Sequence, residues 1–435
     1  MVVTTLFCSN ATSPSFLGPF GHPRKTVRTM GRPPTRRDMS SYHGPRRRIS
    51  TVRLPKRLLG VVSVVTISVT CASILPVLSA SGLGVAGALE FDGPSGLAFG
   101  GGHLWVTNQS GNSVTEINPS NGSWITTIAA ARYGFARPSS ITRDGSELFV
   151  ANTAGSVTEL RATTGAFVRI LSGPRFHFAD PVAIDAVGRS VLVLNAGRPN
   201  GAGSITEIRA STGSVERTIR GPAYAFDDPV AFAVAGANVY VADKNDNAMT
   251  EVNIANGRLV RVVTQQGLDA PDGIAVVDGN AWVADSASNA ATDISAQTGA
   301  VLTTKTDSDG SYGFGAPLMV IGVGGNVFVA SPFGTSPMVT KLSATTGQPS
   351  WYMCNTNGPY YFSLLSAFAV SGTDLWVASR SGANSDTPGA KTGSLTELST
   401  GDGSLVATFP KPGATAPTTT STTSTTSTTS TTTLP

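Results

Sequence analysis

The chain has 435 residues, of which 13% are charged and 48 are glycine, a composition typical of turn-rich β structure. Residues 1–57 hold twelve Lys/Arg and one Asp, a net charge of +11. The whole chain has a net charge of +4, so the remaining residues carry −7. The positive balance therefore belongs to the leader and gives no support for nucleic-acid binding by the remainder.

The first 88 residues divide into two segments. Residues 1–57 are rich in Arg, Pro, Ser and Thr without apolar periodicity, which predicts a disordered basic leader; Met30 and Met39 are alternative starts. Residues 58–88 contain no charged residue and are long enough to span a bilayer, but they fit a secretory signal equally well. Both interpretations export the chain beyond this segment, so we expect an extracytoplasmic protein, either secreted or anchored in the membrane through residues 58–80.

A repeat of about 40 to 50 residues fills residues 89–410. Alternating apolar residues between glycine-containing turns predict four strands, A to D, in each copy. A single four-stranded sheet cannot bury both faces, whereas seven sheets around an axis can. We therefore predict an all-β fold, a seven-bladed β-propeller with four-stranded antiparallel blades. The threonines that mark the seven copies in strand C are Thr115, Thr158, Thr206, Thr250, Thr292, Thr340 and Thr396.

The ends of the repeat region allow two ways to close the ring. The first copy begins with strand A at Pro94 and the last ends with strand D at Leu405–Phe409, so two complete blades would meet by side-chain packing. Alternatively, Val85–Phe91 would add an outer strand to the last blade. The sequence fits both.

The connections from strand D to the next strand A carry pairs of aromatic residues, as in Tyr133-Gly-Phe135. In a propeller these connections share one rim with the B–C loops, so aromatic rings would alternate there with the Asn and Asp residues that end strand B. Such a ring suits a sugar, peptide or protein surface, and the first aromatic of each pair is the better candidate for exposure. The candidate rim residues are Tyr133, Phe176, His177, Tyr224, Tyr312, Tyr361, Asn108, Asn152, Asn195, Asp243 and Asp285.

A structural interpretation of the same rim stays open. The aromatic residues would pack between blades, and the Asn and Asp side chains would hydrogen-bond their own turns. An acidic residue also follows the repeat threonine in most copies, as in Glu116, Glu159 and Glu207. A catalytic group is needed once and not in every blade, so this repetition predicts a contact between blades.

The unit Gly93–Gly122 resembles the NHL/YVTN class of β-propeller repeats and the repeat of the streptogramin lyases. The resemblance implies a propeller, and for the lyases it implies rim histidines and a carboxylate acting with a divalent metal. His177 lies on that rim, whereas His103 falls on the opposite one. Six-bladed lactone hydrolases hold a divalent ion near the channel, where this chain has Asp185 and Asp272. We predict no catalytic residue, no metal site and no cofactor.

From residue 411 to 435 the chain is a Thr/Ser-rich low-complexity tail, either an extended wall spacer or an inert end. The resulting functional prediction is a monomeric, exported binding or interaction module of the cell envelope. Its partner would be an envelope glycan or protein, bound through the rim, and not a nucleic acid. The alternatives are a lyase- or lactonase-type propeller enzyme and a purely structural envelope protein.

Overall fold

The structure, a computed structural model, describes residues 91–409 except for 199–200, 265–266, 309, 334–335, 356–359, 361 and 381–392. The predicted leader, the apolar segment 58–88 and the tail 411–435 lie outside the described residues. In the part that is described, no helix is long and apolar enough to cross a membrane.

Seven four-stranded antiparallel sheets make up the described chain, each with its strands in sequence order. In chain order they are β1 (Pro94–Gly100), β2 (His103–Asn108), β3 (Ser113–Ile117) and β4 (Trp124–Ile128); β5 (Pro138–Asp144), β6 (Glu147–Asn152), β7 (Ser156–Arg161) and β8 (Phe167–Ser172); β9 (Pro181–Val187), β10 (Ser190–Asn195), β11 (Ser204–Arg209) and β12 (Val215–Ile219); β13 (Pro229–Ala235), β14 (Asn238–Asp243), β15 (Ala248–Asn253) and β16 (Leu259–Val263); β17 (Pro271–Val277), β18 (Asn280–Asp285), β19 (Ala290–Ser295) and β20 (Val301–Thr306); β21 (Met319–Val323), β22 (Asn326–Ser331), β23 (Met338–Ser343) and β24 (Pro349–Cys354); β25 (Leu365–Ser371), β26 (Asp374–Ser379), β27 (Ser394–Ser399) and β28 (Leu405–Phe409). Three short 3-10 helices lie at Ala131–Tyr133, Pro174–Phe176 and Pro222–Tyr224.

The first strand of each sheet packs beside the first strand of the next, from β1 round to β25, which in turn packs on β1. The sheets are therefore seven blades around an axis, with strand A innermost and strand D outermost. The predicted all-β, seven-bladed propeller with four-stranded antiparallel blades is confirmed.

The apolar core is divided among the seven interfaces between blades. Seven clusters of buried side chains each combine residues of two neighbouring blades. Trp105 and Leu148 pack together between blades 1 and 2, and Trp376 and Phe409 of blade 7 pack against Leu104 of blade 1. Each sheet thus covers the exposed face of its neighbour, which is the physical reason for the repetition.

The ring closes between two complete blades. Phe91 and Gly393 form an antiparallel bridge in which Gly393 N donates to Phe91 O at 2.6 Å. The bond from Gly203 N to Phe226 O between blades 3 and 4 is equivalent, so Phe91-Asp-Gly-Pro94 acts as the last connection of the ring. The described residues support closure by packing; residues 85–90, on which the alternative of an added outer strand depends, lie outside them.

Acidic residues after the repeat threonines form ion pairs within their own blades, and the arginine partner makes the contact with the next blade. Glu159 Oε2 lies 2.5 Å from Arg169 Nε, and Arg169 Nη2 donates to Ala210 O of the next blade at 2.9 Å. In blade 6 a lysine stands at the acidic position, and Lys341 Nζ donates directly to Thr400 O of blade 7 at 2.8 Å. Equivalent ion pairs within blades are Glu207–Arg217 and Glu251–Arg261.

Candidate functional site

The repeat threonines anchor the connections that form the predicted rim. Thr158 Oγ1, in strand C of blade 2, donates to Tyr133 O of the preceding connection at 2.9 Å. This fixes the backbone of each loop against the blade that comes after it. The same bond runs from Thr206 to Phe176 O, Thr250 to Tyr224 O, Thr292 to Gly267 O, Thr340 to Tyr312 O and Thr396 to Tyr360 O, at 2.7 to 2.8 Å.

Two of the candidate aromatics, Tyr133 and Phe176, turn into the space between blades. Tyr133 is 5% exposed and Phe176 is 1% exposed, so the expectation that these rings face solvent is wrong. Each ring stacks on the second aromatic of its pair, with centroids 5.1 to 5.6 Å apart. The Tyr133 hydroxyl also donates to Gly165 O of the next blade at 3.2 Å. Burying one ring at the interface and stacking it on the second removes apolar surface from water.

The other aromatic candidates differ in exposure. Tyr224 and Tyr312 are half-buried, and the Tyr224 hydroxyl donates to Gly257 O at 2.8 Å. Tyr361 lies outside the described residues; Tyr360, which is 7% exposed, takes the stacked position in that connection. His177 is exposed, with Nδ1 3.5 Å from Arg220 Nη1.

The polar candidates at the ends of strand B are fully buried beneath the connections. Their position on an accessible rim is therefore wrong, and the alternative of hydrogen bonds within their own blades holds. Asn152 Nδ2 donates to Thr158 Oγ1 at 3.1 Å, which lets the threonine hydroxyl donate onward to the loop. The five residues with no exposed area are Asn108, Asn152, Asn195, Asp243 and Asp285.

In two blades an aspartate replaces this asparagine. Burial raises the pKa of Asp243 to about 9, with Asp246 as the next largest cause, and burial raises the pKa of Asp285 to about 7. A protonated carboxyl carries an O–H donor, as the Asn amide carries N–H donors in the other blades. In its neutral form such a carboxyl can supply the donor that the asparagine amide supplies in blade 2.

The accessible feature of this rim is the mouth of the central channel. A cavity of about 490 Å³ opens where the seven inner strands begin. Ser95, Ser139 and Ser366 line it on blades 1, 2 and 7, and each hydroxyl donates to a proline carbonyl of the next blade at 2.6 to 2.7 Å. Val182 and Val230 line the side of blades 3 and 4, so the mouth has a polar and an apolar half.

The charges of the mouth lie on blades 4, 5 and 7. Lys244 Nζ binds Asp272 at 2.7 and 2.8 Å from its two carboxylate oxygens. Arg380 also lines the mouth, and it forms no ion pair with any described residue. Water reaches this side chain, yet the surrounding protein desolvates the guanidinium in part and lowers its pKa. An arginine stays charged at neutral pH, so the mouth holds one cation without a counter-charge among the described residues.

The acids of the inner strands do not converge. Asp272 is neutralised by Lys244, and Asp185 on β9 accepts hydrogen bonds from Thr142 Oγ1 at 3.1 Å and Ala186 N at 2.8 Å. Burial raises the pKa of Asp185. Across the described ranges, no group of three or more His, Cys, Asp or Glu residues could hold a metal ion.

The repeat pattern gives no indication of Arg380 or Lys244. Both directly follow strand B, Lys244 after β14 and Arg380 after β26. The other blades have Gln109, Thr153, Ala196, Ser286 and Pro332 at this position. Comparing the copies for what differs between them, and not for what they share, would have revealed the two cations.

Comparison with known proteins supports the fold. No family model and no curated protein matches the chain. The computationally designed protein Ika8 is similar at 15% identity and a TM-score of 0.54, over 74% of this chain and 87% of that one. A catalytically inactive virginiamycin B lyase from Staphylococcus aureus with quinupristin is similar at 15% identity and a TM-score of 0.52, over 66% of this chain and 92% of that one. BamB from Moraxella catarrhalis shows 16% identity and a TM-score of 0.47, over 69% and 82%.

These identities are low enough that the similarity concerns the fold alone. The protein is a β-propeller that shares its architecture with streptogramin-lyase-like propellers, so the predicted distant resemblance is confirmed at that level.

Proposed function

We propose that this chain is an exported binding module of the cell envelope whose ligand, an acidic carbohydrate, enters the mouth of the central channel. The observation that carries the proposal is Arg380, a partly desolvated cation without an acidic partner among the described residues, at the edge of an open cavity. A guanidinium in such a place favours a carboxylate, which it can bind through two parallel hydrogen bonds.

The rest of the mouth suits a sugar ring. Half-buried Phe232 and Phe368 offer apolar surface to the C–H face of a pyranose, while the serine oxygens and Asp272 can accept hydrogen bonds from its hydroxyls. The ligand surface thus stays on the rim predicted from the sequence. The paired aromatics support the loops from beneath and do not line the mouth. The contacts with the ligand therefore come from the inner strands and from Arg380. Export and envelope location rest on the apolar segment 58–88.

Replacing Arg380 by glutamine tests the proposal. We expect the wild-type chain to bind a uronic-acid disaccharide more tightly than a neutral disaccharide of the same linkage. The variant should lose roughly tenfold or more in affinity for the acidic sugar, because a hydrogen-bonded charge pair contributes about 1.5–3 kcal/mol. Isothermal titration calorimetry measures both affinities.

The matched control is Arg258→Gln, which removes an exposed arginine from the C–D turn of blade 4 on the opposite rim. It should leave both affinities unchanged. Equal binding of the two sugars by the wild type, or equal losses in the two variants, would remove the basis for the proposed site.

A further inference from the structure

Four exposed arginines lie on three consecutive connections, those that lead into blades 2, 3 and 4. They are Arg132 and Arg137 in the first connection, Arg175 in the second and Arg220 at the start of the third, and we call them the basic arc. None of the four forms an ion pair with another residue in the described chain. Elsewhere on the same rim Arg198 and Lys244 are neutralised by aspartates.

Two of these cations are held in place by the buried aromatics beneath them. Arg132 Cζ lies 5.1 Å from the centroid of the Tyr133 ring, and Arg175 Cζ lies 4.8 Å from that of Phe176. The two arginines occupy the same position in consecutive connections. Cation–π contacts restrict the guanidinium groups, so a ligand that binds them loses less side-chain entropy.

The first two connections of the basic arc hold few acids. Residues 129–137 contain no Asp or Glu, and the one acid of residues 173–180, Asp180, pairs with Arg198. In the third connection Arg220 Nη1 lies 3.5 Å from His177 Nδ1, and the acids Asp227 and Asp228 lie at the other end of that connection. The first two connections therefore form a local cationic surface on a propeller that is acidic as a whole.

The same two connections expose aromatic surface beside the arginines. Phe135 and Phe178 are half-buried, whereas Phe226, Phe314 and Phe362, their equivalents in later connections, are at most 4% exposed. Two of the exposed large hydrophobic residues of the described chain, Phe167 and Ile170 on β8, lie beside the first connection, and Phe167 contacts Tyr133 with ring centroids 5.6 Å apart. They are only 37% and 38% exposed, so the basic arc offers little apolar area for insertion into a membrane or a protein–protein core.

We propose that the basic arc binds a linear, carboxylate-bearing polysaccharide. Each guanidinium takes one uronate carboxylate, and the exposed edges of Phe135 and Phe178 pack on sugar rings. This inference rests on the proposed function for the class of ligand, an acidic carbohydrate. It extends the ligand from one sugar at the channel mouth to a polymer that runs across the rim. Nucleic acid is the alternative polyanion, and the test distinguishes it from the polysaccharide.

The test compares a uronic-acid disaccharide with a long polyuronate chain on the full-length protein. We expect R132Q/R175Q to weaken polymer binding about 25-fold, at about fivefold for each arginine, and to leave disaccharide binding unchanged. R380Q should weaken binding of the disaccharide. The control R143Q/R258Q removes the same charge from the opposite rim and should change the affinity for neither the disaccharide nor the polymer. The basic leader is present in every variant, so its contribution to binding is the same in all of them.

The outcomes separate the two sites. Loss of disaccharide binding in R380Q together with unchanged polymer affinity in R132Q/R175Q would overturn the basic arc and keep the channel mouth. Equal polymer losses in R132Q/R175Q and R143Q/R258Q would overturn the arc in favour of general charge attraction. Tighter binding of single-stranded DNA or of anionic phospholipid vesicles than of polyuronate, lost in R132Q/R175Q, would overturn the assignment to a carbohydrate.

Discussion

Phe409→Ala is expected to lower the free energy of unfolding by about 3–5 kcal/mol, the usual range for deleting a buried aromatic ring. Phe409 is 4% exposed at the end of β28, and its ring stacks on Trp376 with centroids 5.5 Å apart. The ring also fills the space above Gly122 of blade 1, where an added Cβ would lie 1.6 Å from a ring atom. One side chain therefore packs on both blades that close the ring.

The expected loss is large because the ring belongs to the apolar cluster that blades 1 and 7 share. In the same interface the Phe99 and Trp376 rings meet with centroids 6.1 Å apart, and Ser366 Oγ donates to Pro94 O at 2.6 Å. Urea denaturation measures the effect on stability. Amide hydrogen exchange should also accelerate in β1–β4 and β25–β28 before it does so in β13–β16, because the cavity forms at the junction.

Val406→Ala is the matched control for this prediction. Val406 lies in the same strand but is 53% exposed, so its truncation should change stability by less than about 0.5 kcal/mol. If Phe409→Ala cost no more than Val406→Ala, or if exchange rose equally in all blades, the junction would not depend on this ring.

The architecture could be predicted from the sequence because it is repeated. The spacing of the threonines and the glycine turns recurs in each copy, so the number of blades and the order of strands followed from pattern alone. The repetition of Glu159 and its equivalents indicated a contact between blades for the same reason. Where every blade must satisfy the same physical constraint, the same type of residue recurs in the copies and can be recognised in the sequence.

The candidate site could not be predicted in the same way. A tyrosine such as Tyr133 in a polar loop has the same local sequence whether its ring points to water or between blades, and only the neighbouring blade decides. Asn152 ends a strand, which suggested exposure, but the next connection folds over it and Thr158 uses its amide. Arg380 could not be predicted from the repeat because the position after strand B differs from blade to blade.

Asp243→Asn is expected to stabilise the propeller at alkaline pH. Burial raises the pKa of Asp243 to about 9, far above its ordinary value of 3.8, so the folded chain holds a proton that the unfolded chain has released. Stability from this group is present in full below the unfolded pKa and is lost as pH rises from about 4 towards 9. Asparagine fills the same position in blades 1, 2 and 3 without a titrating group.

We therefore expect the variant to equal the wild type at pH 4 to 5 and to exceed it at pH 9 by roughly 1–3 kcal/mol, the usual cost of an unsatisfied buried polar group. Urea midpoints between pH 5 and 9 measure this difference. Asp285→Asn should also become more stable than the wild type as the pH rises, but the difference should build up over a narrower pH range, since the pKa of Asp285 is raised only to about 7.

The control is Asp278→Asn, which removes an exposed carboxylate from the A–B turn of blade 5 at the opposite rim. Its stability should follow the wild-type pH curve, because both folded and unfolded chains leave that group in water. A parallel shift of Asp243→Asn at every pH would show that Asp243 is ionised in the folded state. The donor role expected for a neutral carboxyl at this position would then be wrong.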